Sequence, residues 1–254
     1  MKCPLTIPLL LAGALACFAA PEEKKEPQRQ ARFLAVGELP PFQQEVRDGV
    51  RYELEPPAGS IPPREVLTGF DASETSSTPL RLGRISGGIK VPPGAGPLLL
   101  RKRDVAADSE PWFRLPCPET GDFLVVLWRD PQKKTWDAAR ALTLPDDATT
   151  FPAGSLRILN ISRTPANVVI GEEKLILLPG KSVLRQIPTG SPLPFEIHLA
   201  ATNGTLKRLY AADIQQNAGE RGLALIYEAD GENPRRPVKV SVQREPAPPL
   251  PVKP

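Results

Sequence analysis

Apolar positions along this chain recur mostly with a period of two, in short runs punctuated by Gly, Pro, Asp and Asn. Alternation of that kind predicts β-strands joined by turns. The strongest stretch is FLVVLWRDPQKKTWDAARALTLPDD, Phe123 to Asp147: an apolar run, a polar turn opened by Asp130-Pro131, and a second apolar run ending at Pro145. It predicts a β-hairpin, and GLALIYEADGENPRRPVKVSVQRE, Gly222 to Glu245, reads as a weaker version of the same unit. Further hairpins are expected at Phe42 to Leu54 around Asp48-Gly49, at Arg81 to Val91 around Gly87-Gly88, and at Phe195 to Tyr210 around Asn203-Gly204. Asp-Gly and Asn-Gly suit type I′ turns, which need positive φ at both central residues. Residues 58–79 are rich in Ser, Thr, Gly and Pro and read as a long loop around a short strand near Val66. Other strand candidates are 32–37, 97–101, 112–115, 155–162, 167–170, 174–178 and 182–187, with Pro179-Gly180 turning between the last two. No long amphipathic helix can be placed.

The Phe123 run is apolar on both of its faces. Phe123, Val125 and Leu127 line one, and Leu124, Val126 and Trp128 line the other. One face must meet a sandwich core, so the other needs a second cover. A Trp buries about 150–250 Å², worth roughly 4–6 kcal/mol at about 25 cal/mol/Å² as an upper estimate. Leu223, Leu225 and Tyr227, set against Ala224 and Ile226, repeat the two-faced pattern. Trp128 and Tyr227 are therefore expected at a packing contact, either between the two units of one chain or between subunits. Trp112 and Trp136 are the candidates for a rival role, a flat platform on which sugar rings stack.

Closely spaced hairpins without helices point to a sandwich or barrel. The expected fold is all-β: two tandem immunoglobulin-like β-sandwich units, a candidate internal duplication. Three landmarks align by eye: Arg32-Phe33-Leu34 with Arg157-Ile158-Leu159, Val50 to Pro56 with Lys174 to Pro179, and Phe123 to Trp128 with Leu223 to Tyr227. The expected division is a signal peptide at 1–20, a charged tether at 21–31, unit one at 32–150, unit two at 151–245 and a proline-rich tail at 246–254. The junction is placed at Phe151-Pro152-Ala153-Gly154, and the tail is expected to be extended and unpacked.

Composition agrees with strands and loops. Proline makes up 32 of 254 residues, more than twice the usual share of about 5%, and it breaks helix interiors and central strands alike. The net charge of +3 is small, with both signs interspersed, which argues against a nucleic-acid partner. Met1-Lys2 followed by the apolar stretch Leu5 to Ala20 reads as a secretory signal, too short for a membrane span. Ala14-Leu15-Ala16-Cys17 loosely resembles a bacterial lipobox, with Ala14 where Leu is usual, so Cys17 is a candidate lipidation site; cleavage near Ala19 is the alternative. Either outcome leaves Cys117 without an intrachain partner, and the fold is expected to stand on packing without disulfides.

Candidate chemistry is sparse. His198 is the only histidine and alternates with Glu196 opposite Phe195, Ile197 and Leu199, which directs it away from the core. One histidine cannot supply His-based metal spacings or the paired bases of hydrolases. Cys117, between two prolines, reads as a small packing residue. The acidic pairs Asp146-Asp147 and Glu172-Glu173 sit in expected turns, where carboxylates cap and are solvated. The sequons at Asn160 and Asn203 fall in a strand and a tight turn. These residues imply no cofactor and no metal. The expectation is an exported, non-catalytic envelope protein acting as scaffold, adaptor or accessory subunit of a surface assembly. It would have a protein partner and would meet a membrane only through a lipid on Cys17. A carbohydrate-binding module is the alternative.

Overall fold

The computed structural model describes residues 29–71, 75–105, 109–133, 135–201, 204–230 and 234–250. The expected leader with Cys17, most of the tether, Asn203 and the last four residues lie outside them. The first half carries β1 (Arg29–Val36), β2 (Gln44–Arg47), β3 (Val50–Glu53), β4 (Glu65–Gly69), β5 (Ser76–Pro79), β6 (Ile89–Val91), β7 (Leu98–Lys102), β8 (Phe113–Leu115), β9 (Phe123–Trp128) and β10 (Arg140–Pro145). The second half carries β11 (Ser155–Asn160), β12 (Ala166–Ile170), β13 (Glu173–Leu177), β14 (Ser182–Gln186), β15 (Leu193–Ala200), β16 (Leu206–Ile214), β17 (Glu220–Glu228) and β18 (Val238–Pro246). The one helical element among the described residues is a single 3₁₀ turn, Trp136–Ala138. The fold is nearly all β.

The two halves share one connectivity. In the first, sheet β10-β9-β1-β6 faces sheet β5-β4-β7-β8; in the second, sheet β18-β17-β11-β14 faces sheet β13-β12-β15-β16. Strand order and direction correspond throughout, including a parallel central pair, β1 with β9 and β11 with β17. Phe33, Val125 and Leu127 meet Val66, Leu98 and Leu100 in the first core. Leu156, Ile158, Ala224 and Ile226 meet Val168, Phe195 and Ile197 in the second. The β2–β3 hairpin has no counterpart. It is inserted between β1 and β4 and, among the described residues, pairs only with itself.

Local chemistry explains several turns. Asp48 and Gly49 both have positive φ, 51° and 78°, the geometry a two-residue I′ hairpin needs. Asp130 caps the β9–β10 turn by accepting from the backbone N–H groups of Gln132 and Lys133 and pairing with Arg140.

Three expectations need correction. Gly87-Gly88 does not turn a hairpin: residues 81–86 run along β1 through the bridges Leu34↔Ile85 and Ala35↔Leu82, and β6 then pairs with β1. The open edge of β1 wins because it offers partners to backbone groups that a local turn would leave unpaired: Gly83 and Ser86 N–H donate to the carbonyls of Ala35 and Phe33. Residues 58–79 hold a second strand, β5, paired to β4. It is a polar edge strand with only Thr78 buried, so periodicity could not reveal it. Val50 to Pro56 is not the counterpart of Lys174 to Pro179, because the strand matching β13 in sheet order is β5. Pro179-Gly180 supplies the expected turn between β13 and β14, which carries the chain from one sheet to the other. At the borders, β1 begins inside the expected tether with Ala31 wholly buried, and β18 extends to Pro246.

Candidate functional site

The outer faces of sheets β10-β9-β1-β6 and β18-β17-β11-β14 meet in a third apolar cluster. With Arg32 matched to Arg157, the parallel registers make Leu124 the equivalent of Leu223 and Trp128 the equivalent of Tyr227. The seam uses the same positions from both halves: Leu34 and Leu159, Val36 and Ile161, Leu124 and Leu223, Val126 and Leu225. Trp128 and Tyr227 pack against its margin, both half-buried. Leu142 and Leu144 of β10 have no apolar equivalents on β18, where Ser241 and Gln243 stand.

One end of the seam is closed by ions. Arg32 donates to Asp146 at 2.8 and 2.5 Å and to Glu245 at 2.6 and 2.7 Å. Arg221, 2% exposed, donates to Asp146 at 3.0 Å, to Glu245 at 2.7 and 2.9 Å, and to the carbonyls of Asp146 and Phe151. Asp146 and Glu245 are themselves equivalent positions on β10 and β18. Arg157 completes the group with two carbonyl acceptors, Pro145 and Thr150. The Phe151 ring lies between guanidinium groups, 4.2 Å from Arg157 and 4.6 Å from Arg221. Burial pushes the Asp146 carboxyl above its ordinary value against the pull of both arginines. Burial also works to raise Glu245, but the hydrogen bond and charge of Arg32 and the charge of Arg221 outweigh it and hold that carboxyl low. Both carboxylates and the guanidinium groups of Arg32 and Arg221 are spent on one another and on backbone carbonyls, the arrangement by which buried charges join two packed surfaces.

The other end opens. Beyond β1, Glu38 and Asp230 exchange hydrogen bonds with each other's backbone, Arg129 donates to Asp230 at 3.0 Å, and Lys239 pairs with Glu38. Tyr227 lies behind them, its phenol pushed up to about 12 by burial and then by the charges of Glu38 and Asp230. In front lies a groove of about 1200 Å³ with walls from both halves. Its lining carries six cations, Arg129, Lys207, Arg208, Arg235, Arg236 and Lys239, against two carboxylates, Glu38 and Asp230. Arg208 pairs with Glu196, whereas Lys207, Arg235 and Arg236 are exposed and pair with no described residue. Leu39, Pro40 and Pro41 form an apolar lip that leads toward the β2–β3 hairpin. Such a groove suits an extended acidic segment: the lip offers apolar contact and the guanidinium groups offer bidentate donors to carboxylates.

The remaining candidates are scattered. Trp136 is 1% exposed inside the first core, so it presents no face to a sugar. A single turn capped by Thr135 folds it inward. Trp112 packs on Phe113, donates to the Trp136 carbonyl and has Lys102 above its ring. The two tryptophans form no shared flat platform. His198 is half-buried and bonds Glu196 at 2.7 Å on the outer face of its sheet, beside a shallow hollow of about 390 Å³ lined by Ile176 and Leu206. Cys117 packs at the rim of the first core, where burial raises its thiol. Asp147 caps its turn as expected, but Asp146 does not: it lies 2% exposed in the ionic joint. Asn160 is wholly buried and fully bonded to Ser162, Thr164 and Leu177, so its sequon is closed to modification in the folded chain.

The groove is made by distant segments, so the sequence does not reveal it: Arg235 and Arg236 read there only as charges in a turn, and Lys207 as a charge on the exposed part of β16. Compared with known proteins, the chain matches no family model and no curated protein.

Proposed function

We propose that this is an exported, non-catalytic envelope protein that serves as scaffold, adaptor or accessory subunit of a surface assembly, holding an acidic protein partner in the groove between its two halves. The observation that carries the reading is the contrast in that groove between six lining cations and two carboxylates. Two further features support it. The common strand order of both halves, and the recurrence of equivalent positions in the seam, favour two immunoglobulin-like β-sandwich units that arose by duplication and kept their outer faces together. The apolar leader at 5–20 favours export, with Cys17 as the lipid attachment point and the only membrane contact.

The test has two arms. Fractionation of cells carrying the full chain with a C-terminal tag should recover it from the envelope or the medium; recovery in the cytoplasm alone overturns export. Crosslinking in the envelope should yield a defined adduct that is lost in the Arg235→Glu/Arg236→Glu variant. An adduct that persists in that variant overturns the groove as the docking site.

A further inference from the structure

The β2–β3 hairpin stands apart from both sandwiches with its apolar residues in water: Phe42, Val46, Val50, Tyr52 and Leu54 are between 37% and 64% exposed. A lone two-stranded hairpin is marginal in water, and among the described residues the outer edge of β3 has no partner strand. The hydrogen-bonding parity of that edge follows from the hairpin itself. Leu54 N–H donates to Gln43 O at 2.9 Å, and in the antiparallel register Val50 and Tyr52 also face inward, opposite Arg47 and Glu45. Arg51 and Glu53 therefore direct their N–H and C=O groups outward.

We propose that this edge pairs with the same edge of a second copy of the chain, antiparallel and centred on Tyr52, giving a continuous sheet β2-β3-β3-β2 across a dimer. In that register Arg51 lies opposite Glu53 of the second copy, and the two exchange both backbone hydrogen bonds; symmetry repeats the pair. Tyr52 meets Tyr52 at the axis, and Val50 meets Leu54 twice on the same face. The complementarity selects this register. Centring on Arg51 or Glu53 sets like charges directly opposite, which is destabilising. Half-step registers match outward groups to inward ones and make no ladder. Arg51 and Glu53 have no ion-pair partner among the described residues, although Glu45 and Arg47 of the same hairpin pair with each other.

Sedimentation equilibrium of the full chain up to about 1 mM reaches even weak pairing. The wild type should associate to a dimer. Arg51→Glu converts both ion pairs into like-charge pairs and should weaken the dimer about ten-fold or more. Arg51→Glu/Glu53→Arg restores opposite charges across the axis and should restore association, which no purely structural damage to the hairpin would do. A wild type that stays monomeric overturns the proposal. So does a dimer indifferent to Arg51→Glu, or one that the double swap fails to recover.

Discussion

Arg221 and Arg235 belong to opposite ends of one ladder, β17 with β18, and carry the same functional group into opposite circumstances. The Arg221 guanidinium is 2% exposed and meets Asp146, Glu245 and two carbonyls. The guanidinium of Arg235, with that of Arg236 beside it, stands in an open groove and pairs with no described residue. A buried charge is retained only where it is fully answered, because desolvation costs several kcal/mol per ion. An exposed and unanswered one costs almost nothing and remains available. The contrast separates what joins the two halves from what a partner can reach, and residue type alone would have merged them.

The sharpest way to break this distinction is to remove one answering group at the closed end. Asp146→Ala leaves Arg32 and Arg221 facing each other with Glu245 alone, and should cost about 3–5 kcal/mol in a denaturant titration. A loss below about 1 kcal/mol would mean that water already serves these arginines. Leu225→Ala tests the apolar seam beside them. Leu225 is 1% exposed between the halves, and the truncation should cost about 2–5 kcal/mol. Trp128→Ala should cost less, about 1–3 kcal/mol, because its ring is only half-buried at the margin.

A smaller effect concerns the turn that leads into the second half. Burial works to raise the Asp147 carboxyl, but hydrogen bonds from Thr149 and Thr150 outweigh it and hold it down to about 2. A carboxyl lowered on folding contributes stability above its unfolded value, near 3.9, and loses it as pH falls toward 2. Asp147→Ala should cost about 1 kcal/mol at neutral pH, since solvent reaches the turn. The gap between variant and wild type should close between about pH 4 and pH 2. A gap independent of pH would assign the loss to backbone geometry instead.

Much of the architecture is legible in the sequence. Phe123 to Trp128 announced itself as apolar on both faces, and the structure divides it between the first core and the seam. Asp48-Gly49 and the Gly222 to Glu245 hairpin were equally readable, because turn chemistry and strand periodicity act over a few residues. What stayed hidden depended on distance along the chain. The parallel pairings of β1 with β9 and β11 with β17 join segments about ninety and sixty-five residues apart, and nothing local encodes a partner. Thr78 is the lone buried residue of β5, so a polar edge strand passed for loop. Asp146 read as a solvated turn residue because the arginines that bury it, Arg32 and Arg221, come from the far ends of the chain.

The least perturbing variant is the most informative about the open end. Arg235→Glu/Arg236→Glu should shift folding stability by no more than about 0.5 kcal/mol, since both side chains are exposed and break no described contact. The lining charge of the groove nevertheless falls from +4 to 0: six cations less two carboxylates become four cations less four. A partner held by these charges should dissociate, and wild-type association should itself weaken as salt rises past the Debye regime of about 0.15 M. Asp146→Ala makes the complementary case, weakening the joint while leaving the groove charge unchanged. If the charge-reversed protein unfolds at the same denaturant midpoint and keeps its partner, the groove is only a solvated seam between the two halves. If it keeps the midpoint and loses the partner, stability and recognition have been separated along a single β-ladder.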